Sequence, residues 1–436
     1  MERWISPGRS LGSIIAVIGA LLVASAPASA HGDSRGHGDH GVVRAALPSG
    51  AVKHIFVIEL ENEDASTTFG PGSPATYLNG TLVPQGELVE NYYATGHASL
   101  DNYIAQISGQ APTEETSADC LGPSTNLNTL IGSYDDLLPG NLDPNERLYP
   151  GQVDGHGCIY PAFVQTIANQ LDRLDPPNPF THVAAWRDYD EDMGNQPTGR
   201  ELGTPDPLGG LDCAHPALNG PDNTNAASPA TATEPADQYA TRHNGFVYFH
   251  SIIDNKAYCD AHVVDLRPLA GSLKRLSATP NYSFITPDTC ADAHDTPRCQ
   301  NGQKGGLPQA NRFLKVWIPR IMHSPAYRAG GLIVVTFDES GDDTDATACC
   351  GEKDGLGFDD PSHPNVNEPG LYGPGGGRVG AVLLSTFIRP GTVSQVPYNH
   401  YSLLRSIEDL FGLAHLGDAK QPQVHSFGRD VYTRFK

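Results

Sequence analysis

"VKHIFVIELEN", residues 52–62, is the stretch whose reading decides the fold. Ile55 to Ile58 is an unbroken apolar run, and the segment closes on two chemistry-bearing side chains, Glu61 and Asn62. A run this short and continuous predicts a strand buried on both faces, as in a parallel sheet. Similar runs occur in "THVAAW" (181–186), "GFVYFHSI" (245–252), "NYSFIT" (281–286), "GGLIVVTFDE" (330–339) and "VGAVLLS" (379–385). Helical periodicity lies between them, at 99–108, 161–174, 308–323 and 401–411. Strands alternating with helices predict an α/β protein with a mostly parallel sheet covered on both sides.

The flanks of this pattern read differently. Arg3 and Arg9 precede an apolar segment from Ile14 to Ala24, and "APASA" offers Ala28 and Ala30 at a cleavage site. Residues 1–30 are therefore expected to be a signal peptide, which makes the mature chain secreted and without a transmembrane anchor. Residues 31–50, rich in His, Gly and Asp, are expected to be disordered. Residues 51–436 are left as the catalytic domain. Within it, 187–244 is rich in Pro, Asn, Thr, Asp and Gly and lacks periodicity, so it is expected to be a loop-rich insertion.

The formal charge is −22, and loss of Arg3, Arg9 and Glu2 with the signal would take it to −23. Such a chain repels nucleic-acid backbones, which excludes that partner, while surplus carboxylates suit a hard cation. The eight cysteines of an exported chain point to disulfides. Cys290 with Cys299 and Cys120 with Cys158 are the expected pairs, and Cys213 is expected to tie down the insertion. Adjacent Cys349 and Cys350 form either one vicinal bridge or two separate bonds.

In parallel α/β sheets ligands gather beyond the carboxyl ends of the strands. Those ends deliver Glu61 and Asn62, then Asp292 and His294 in "PDTCADAHD", then Asp338 and Glu339, and finally His400 in "YNHYSLLRSIEDLFGL". Carboxylates at the ends of buried strands are costly unless they are paired or hold a cation. Glu61, Asn62, Asp338 and Glu339 together therefore point to an oxygen-rich divalent metal site. "ATGHASLDNYIAQISG" (94–109) adds Ser99 at the start of an amphipathic helix. There a hydroxyl either caps the helix or attacks an anionic group held by free backbone N–H groups.

Other chemistries lack their residues. No Cys is followed by x-Pro-x-Arg, there is no HExxH, and no Ser stands in GxSxG. "GPGGGRVG" (373–380) has no Gly-Lys-Ser/Thr. "TRHNG" (241–245) misses the Arg-His-Gly signature of histidine acid phosphatases because Asn244 interrupts it. "DESGDDTDATACCGE" lacks the glycine and register of an EF-hand.

From about residue 52 to about 434 the chain resembles a secreted bacterial phosphoesterase family within the alkaline phosphatase superfamily. That family holds acid phosphatases, phosphatidylinositol phosphatases and phospholipases C. The resemblance rests on "IFVIELEN", "TGHASLDNYIAQISG", "WRDYDEDM", "FVYFHSI", "ITPDTCADAHD", "IVVTFDES", "ACCGE", "GRVGAVLLS" and "YNHYSLLRSIEDLFGL" in this order. It implies an alkaline-phosphatase-like three-layer sandwich. It also implies a divalent metal held by Glu61, Asn62, Ser99, Asp338 and Glu339, with Ser99 as nucleophile. Asn102 and Asp292 would bind substrate, and His294 and His400 would serve the phosphoryl group and the leaving oxygen. Two-metal relatives usually have Asp-His where this chain has Asp338-Glu339, so one ion is expected and a second is in doubt.

The expected activity is hydrolysis of phosphate monoesters on a small substrate or a phospholipid headgroup, through a phosphoserine. Phospholipase C-type diester cleavage is the first alternative. A secreted binding protein without turnover is the second, and an intact Ser99 beside a complete acid set argues against it.

Overall fold

A computed structural model describes residues 47–113, 115–120, 133–139, 152–153, 155–174, 185–196, 200–294, 299–341, 345–351 and 375–434. The expected signal peptide and the expected disordered segment, apart from residues 47–50, lie outside the described residues. Eight strands form the main sheet: β1 (His54–Leu60), β2 (Glu87–Val89), β3 (Trp186–Asp190), β4 (Val263–Asp265), β5 (Tyr282–Thr286), β6 (Gly331–Phe337), β7 (Ala381–Ser385) and β8 (Thr392–Ser394). The longer helices are α1 (Ser99–Ser108), α2 (Ile167–Leu174), α3 (Leu307–Met322) and α4 (His400–Phe411).

The strand order is β4-β3-β5-β1-β6-β7-β2-β8. Every residue of β1 and β6 is buried, so both faces of the sheet centre are covered, as the continuous apolar runs require. Each fully buried Ile, Val or Phe there contributes roughly 1.5–3 kcal/mol. β5 and β6 flank β1 in parallel, and α3 makes the crossover between them. β4, β3 and β5 continue the parallel set.

β7 departs from expectation. It runs antiparallel to both β6 and β2, while β8 lies parallel to β2, so the sheet is mixed and β7 alone is reversed. Ser385 at its carboxyl end pairs with Leu332, at the amino end of β6. The chain then needs β8 and a short bridge, Tyr398–Asn399 beside Tyr92–Tyr93, to bring His400 to the functional edge.

One apolar run is also reassigned, and another is described only in part. "GFVYFHSI" is a 3₁₀ turn, Gly245–Tyr248, followed by a helical turn, His250–Ile253. It is buried all the same: Phe246 stacks on Trp186, and Gly245 passes so close to α1 that a Cβ would meet Tyr103 at 3.1 Å. A short apolar run carries no period that separates a strand from a buried turn. "THVAAW" is described only from Ala185, and its strand β3 runs onward through Asp190. The insertion therefore begins after Asp190, not at 187. It carries an antiparallel hairpin, Leu202–Pro205 with Leu211–His215. Three-residue strands such as β2, β4 and β8 are too brief to leave a sequence signal.

The disulfides are Cys120–Cys158, Cys213–Cys259, Cys290–Cys299 and the vicinal Cys349–Cys350, and no described cysteine is free. Both expected pairs form, and Cys213 ties the insertion's hairpin to the helix Lys256–His262. Among the described residues no helix is long and apolar enough to cross a membrane.

Candidate active site

α1 starts at Ser99 itself. Ala98 is the residue before it, at φ 81°, and makes no side-chain cap. Capping is thus not what Ser99 does here: its Oγ donates to Glu61 Oε2 at 2.8 Å. A non-glycine residue at such a φ costs on the order of 1–3 kcal/mol and persists only where its surroundings hold it. The Ala98 N–H donates to Glu339 Oε2 at 3.0 Å, and its carbonyl accepts from Asn102 Nδ2 at 3.1 Å.

Asn102 staples the whole turn. Its Oδ1 accepts from Thr95 N (2.9 Å), Thr95 Oγ1 (3.0 Å) and Gly96 N (3.1 Å), and its Nδ2 also donates to Gly96 O (2.9 Å). Both amide hydrogens are spent, so none remains for the phosphate oxygen that the family resemblance assigned to this residue. Gly96 is needed in the turn because a Cβ there would lie 2.4 Å from the Asp101 carboxylate.

Three strand ends are sewn together behind Ser99. Asp338 N donates to Leu60 O, Glu61 N to Asp292 O, both at 2.8 Å, and Glu63 N to Glu339 O at 3.1 Å. Asp338 Oδ1 accepts from Asn62 N (2.9 Å) and Glu339 N (2.7 Å). Asp292 Oδ1 accepts from His294 N at 2.9 Å. The second oxygens of Asp338 and Asp292, and Oδ1 of Asn62, are buried with no hydrogen-bond partner. Burial pushes Asp338 and Asp292 well above the usual carboxylate range, and the charge of Glu61 adds to both. Burial also raises Glu61, to about 7, against the hydrogen bonds from Tyr103 and Ser99.

Glu339 stands differently. Its Oε1 accepts from Asn62 Nδ2 (2.9 Å), and its Oε2 from His97 Nδ1 (2.8 Å) as well as Ala98 N. Both oxygens are occupied in bracing the turn. His400, expected to carry protons, is fully buried with Nδ1 against Tyr92 OH (3.0 Å) and Nε2 against the Asp338 carbonyl (2.6 Å). Burial lowers it to about 4. With both ring nitrogens committed, it holds the end of β6 in place and offers none to a leaving oxygen. His294 is half-buried beside Asp292.

Three side chains at the site escaped the sequence reading. Tyr103, buried on α1, donates its hydroxyl to Glu61 Oε1. The other two come from the rejected "TRHNG". His243 stacks on the Tyr103 ring at 5.7 Å, and its Nε2 lies 3.4 Å from Glu61 Oε2. Burial, then the neighbouring Arg242, hold it well below the usual histidine range. Arg242 Nε is 3.4 Å from Asp119 Oδ2. Only the mismatch to one signature drew attention to that pentapeptide.

The model of the family described as "Phosphoesterase family" matches residues 73–414, most of the chain. The chain belongs to the Phosphoesterase family. Among curated relatives, this phosphoesterase is 25% identical over 417 residues to the phosphate-repressible acid phosphatase of Penicillium chrysogenum. That match covers 93% of this chain and 72% of the relative. It is 22% identical over 370 residues to a probable acid phosphatase of Kluyveromyces lactis, covering 84% of this chain and 60% of that one. A solved protein of the alkaline phosphatase superfamily from Vibrio parahaemolyticus is similar at TM-score 0.40 and 12% identity, over 86% of this chain and 72% of that chain. The enzyme class, a hydrolase of phosphoric ester bonds, rests on the family match and the curated relatives.

The phosphoesterase's acids suit a hard divalent cation by donor chemistry. Asp338, Asn62 and Asp292 each present an unpartnered buried oxygen, with the Glu61–Ser99 pair alongside. Among the described residues no three His, Cys, Asp or Glu side chains already form a metal-holding group, and the donor set needs the amide and the hydroxyl to be complete.

Proposed function

We propose that this phosphoesterase is an exported, metal-dependent phosphatase that hydrolyses phosphate monoesters through a phosphoserine on Ser99. The observation that carries the reading is the Ser99 hydroxyl, 2.8 Å from a buried Glu61, at the first residue of a ten-residue helix. The acid phosphatase names of the curated relatives favour a monoester. The apolar segment near the start of the chain and the four disulfides favour export.

Glu61, Asn62, Ser99 and Asp338 would hold one divalent ion, with Asp292 beside them. Such an ion supplies a lower pKa for the serine hydroxyl and positive charge toward a dianionic substrate. The chain's own groups do the rest. Glu61 accepts the Ser99 proton in a hydrogen bond and aims Oγ. The strained Ala98 turn, braced by Asn102 and Glu339, fixes the hydroxyl at the helix N-terminus, where backbone N–H groups favour negative charge. His294, half-buried beside Asp292, would give a proton to the leaving alcohol.

The test combines elemental analysis of purified protein with a panel of phosphate mono- and diesters and acid-quench trapping of phosphoserine. One divalent ion per chain, faster monoester turnover and a trapped phosphoserine are expected. Turnover that survives complete metal removal, or faster diester cleavage, overturns the reading.

A further inference from the structure

The dipeptide Arg242–His243 grips the nucleophile's surroundings from two sides. His243 reaches Glu61 Oε2, which accepts the Ser99 proton. Arg242 reaches Asp119, whose other oxygen, Oδ1, accepts the N–H of Leu100 at 2.9 Å, one residue past Ser99. The partner of Ser99, Glu61, and the partner of its neighbour Leu100, Asp119, are thus approached by consecutive residues of one short 3₁₀ turn, Thr241–His243.

Arg242 is not fully used by this pairing. Its Nη1 is buried without a hydrogen-bond partner. Burial works against its charge, yet Asp119, Glu61, Asp222 and Asp292 outweigh that and hold its pKa above the usual arginine value. The charge acts on Glu61 and Asp292 alike, and the geometry ties the guanidinium through Asp119 to Leu100, the residue after Ser99. A buried, unpaired guanidinium nitrogen is costly in a purely structural arginine. A planar fork with one arm fixed on a carboxylate and another open matches a phosphoryl oxygen.

The backbone that carries it is rigid. Thr241 N donates to Thr224 Oγ1 at 2.7 Å, and Asn244 Nδ2 donates to Asp190 Oδ2 (3.0 Å) and Tyr239 OH (3.1 Å). Thr224 and Tyr239 belong to the loop-rich insertion. The insertion therefore sets where the guanidinium stands.

We propose that Arg242 binds the phosphoryl group through Nη1 and makes the site prefer monoesters to diesters. This rests on the phosphatase reading above. A monoester dianion brings one more negative charge than a diester into a chain of formal charge −22, so it needs the extra cation more. A diester, with one charge and a second alkyl group, gains less from Nη1.

The experiment compares wild type, Arg242→Ala and Arg242→Lys of the full chain on 4-nitrophenyl phosphate and methyl 4-nitrophenyl phosphate, which share a leaving group. Inorganic phosphate is the competing ligand. Arg242→Ala is expected to lower monoester kcat/KM by about 10²–10³, the range for loss of one transition-state donor, and diester kcat/KM by less than about tenfold. Phosphate inhibition should weaken in step, and lysine should recover part of each loss. Equal losses on both esters with phosphate inhibition unchanged overturn the proposal and leave Arg242 as a prop for Asp119. If the alanine variant does not fold, the lysine variant carries the same comparison. If wild type cleaves neither ester, the phosphatase reading fails by itself. Phosphate binding then decides, and equal affinity in wild type and Arg242→Lys overturns the role of Arg242.

Discussion

Two buried acidic regions lie along one sheet edge; arginine ion pairs close on one of them, while among the described residues none is formed by Asp338 or Asp292 in the other. Around the insertion, Arg200 lies 3.5 Å from Asp237 and 3.6 Å from Glu201, while Arg267 lies 3.3 Å from Asp265. Backbone N–H groups of Gln196, Tyr239 and Gly194 satisfy more of the same carboxylates. Around Ser99, the free oxygens of Asp338, Asp292 and Asn62 have no partner, and the nearby guanidinium keeps one nitrogen open. Acid content alone therefore does not mark a site. Nor do unsatisfied polar atoms, since Arg200 Nε, Glu201 Oε2, Asp265 Oδ2 and Arg267 Nη1 also lack hydrogen bonds. What marks it is buried carboxylates with no arginine ion pair.

The largest effect should follow from breaking the open region at its nucleophile. Ser99→Ala is expected to cost at least about 10³-fold in kcat with an unchanged melting temperature, as removal of nucleophiles does elsewhere. Retention of a tenth of the activity would remove the covalent step. Next comes a pair of substitutions that should differ in sign. Asp338→Asn should cut activity by about 10² and lower metal content. In chelated protein it should raise stability by about 1–3 kcal/mol, because it removes a buried carboxyl that has no cationic partner. The amide keeps an oxygen for the N–H groups of Asn62 and Glu339. Asp237→Asn should instead lower stability by about 3 kcal/mol, since the buried Arg200 loses the nearer of its two carboxylates and keeps only Glu201. Thermal melting of the two chelated variants checks the signs, and a shared sign would erase the distinction between the regions.

Much of the open region is legible in the sequence. Glu61, Asn62 and Asp338 follow from where apolar runs stop, and Ser99 from where helical period starts. These are local signals of strand end and helix start. The roles of Asn102 and Glu339 are not local, because each depends on how the Ala98 turn closes. The setting of His400 is topological: β7 runs against its neighbours, and the returning chain sets the ring against the Asp338 carbonyl and Tyr92. Arg242 and His243 stand in a stretch without periodicity, so only contacts reveal them.

The pH dependence of stability sharpens the comparison. Glu61 in the folded, metal-free protein is raised from its ordinary value to about 7 by burial. A raised carboxyl favours the protonated fold. Its contribution is therefore fully present below about pH 4.5 and is lost as pH rises through about 7, worth up to about 3 kcal/mol by linkage. Chelated protein should accordingly weaken between these pH values, and Glu61→Gln should flatten that slope. Bound metal should remove most of it, since a ligated carboxylate no longer needs its proton. A slope that is unchanged in Glu61→Gln would assign the titration to other buried carboxyls, among them Asp338 and Asp292 of the same region and Glu201, which burial raises to about 8.

The smallest effect on turnover should come from cutting the insertion's covalent tie. Cys213–Cys259 closes a loop with a sequence separation of 46, for which chain entropy alone allows about 4 kcal/mol. Other contacts hold the hairpin as well: Leu211 N donates to Met193 O at 3.0 Å, and Tyr239 OH to Ala214 O at 2.9 Å. Residual structure in the unfolded chain trims the entropic term further. Replacing both cysteines by alanine should therefore cost about 2 kcal/mol by denaturant unfolding, with activity changed less than about threefold. The same Tyr239 hydroxyl accepts from Asn244 Nδ2, two residues past Arg242. If the bridge instead controls that contact, monoester turnover will fall about tenfold while diester turnover holds. The closed region would then be shown to steer the open one through the position of Arg242.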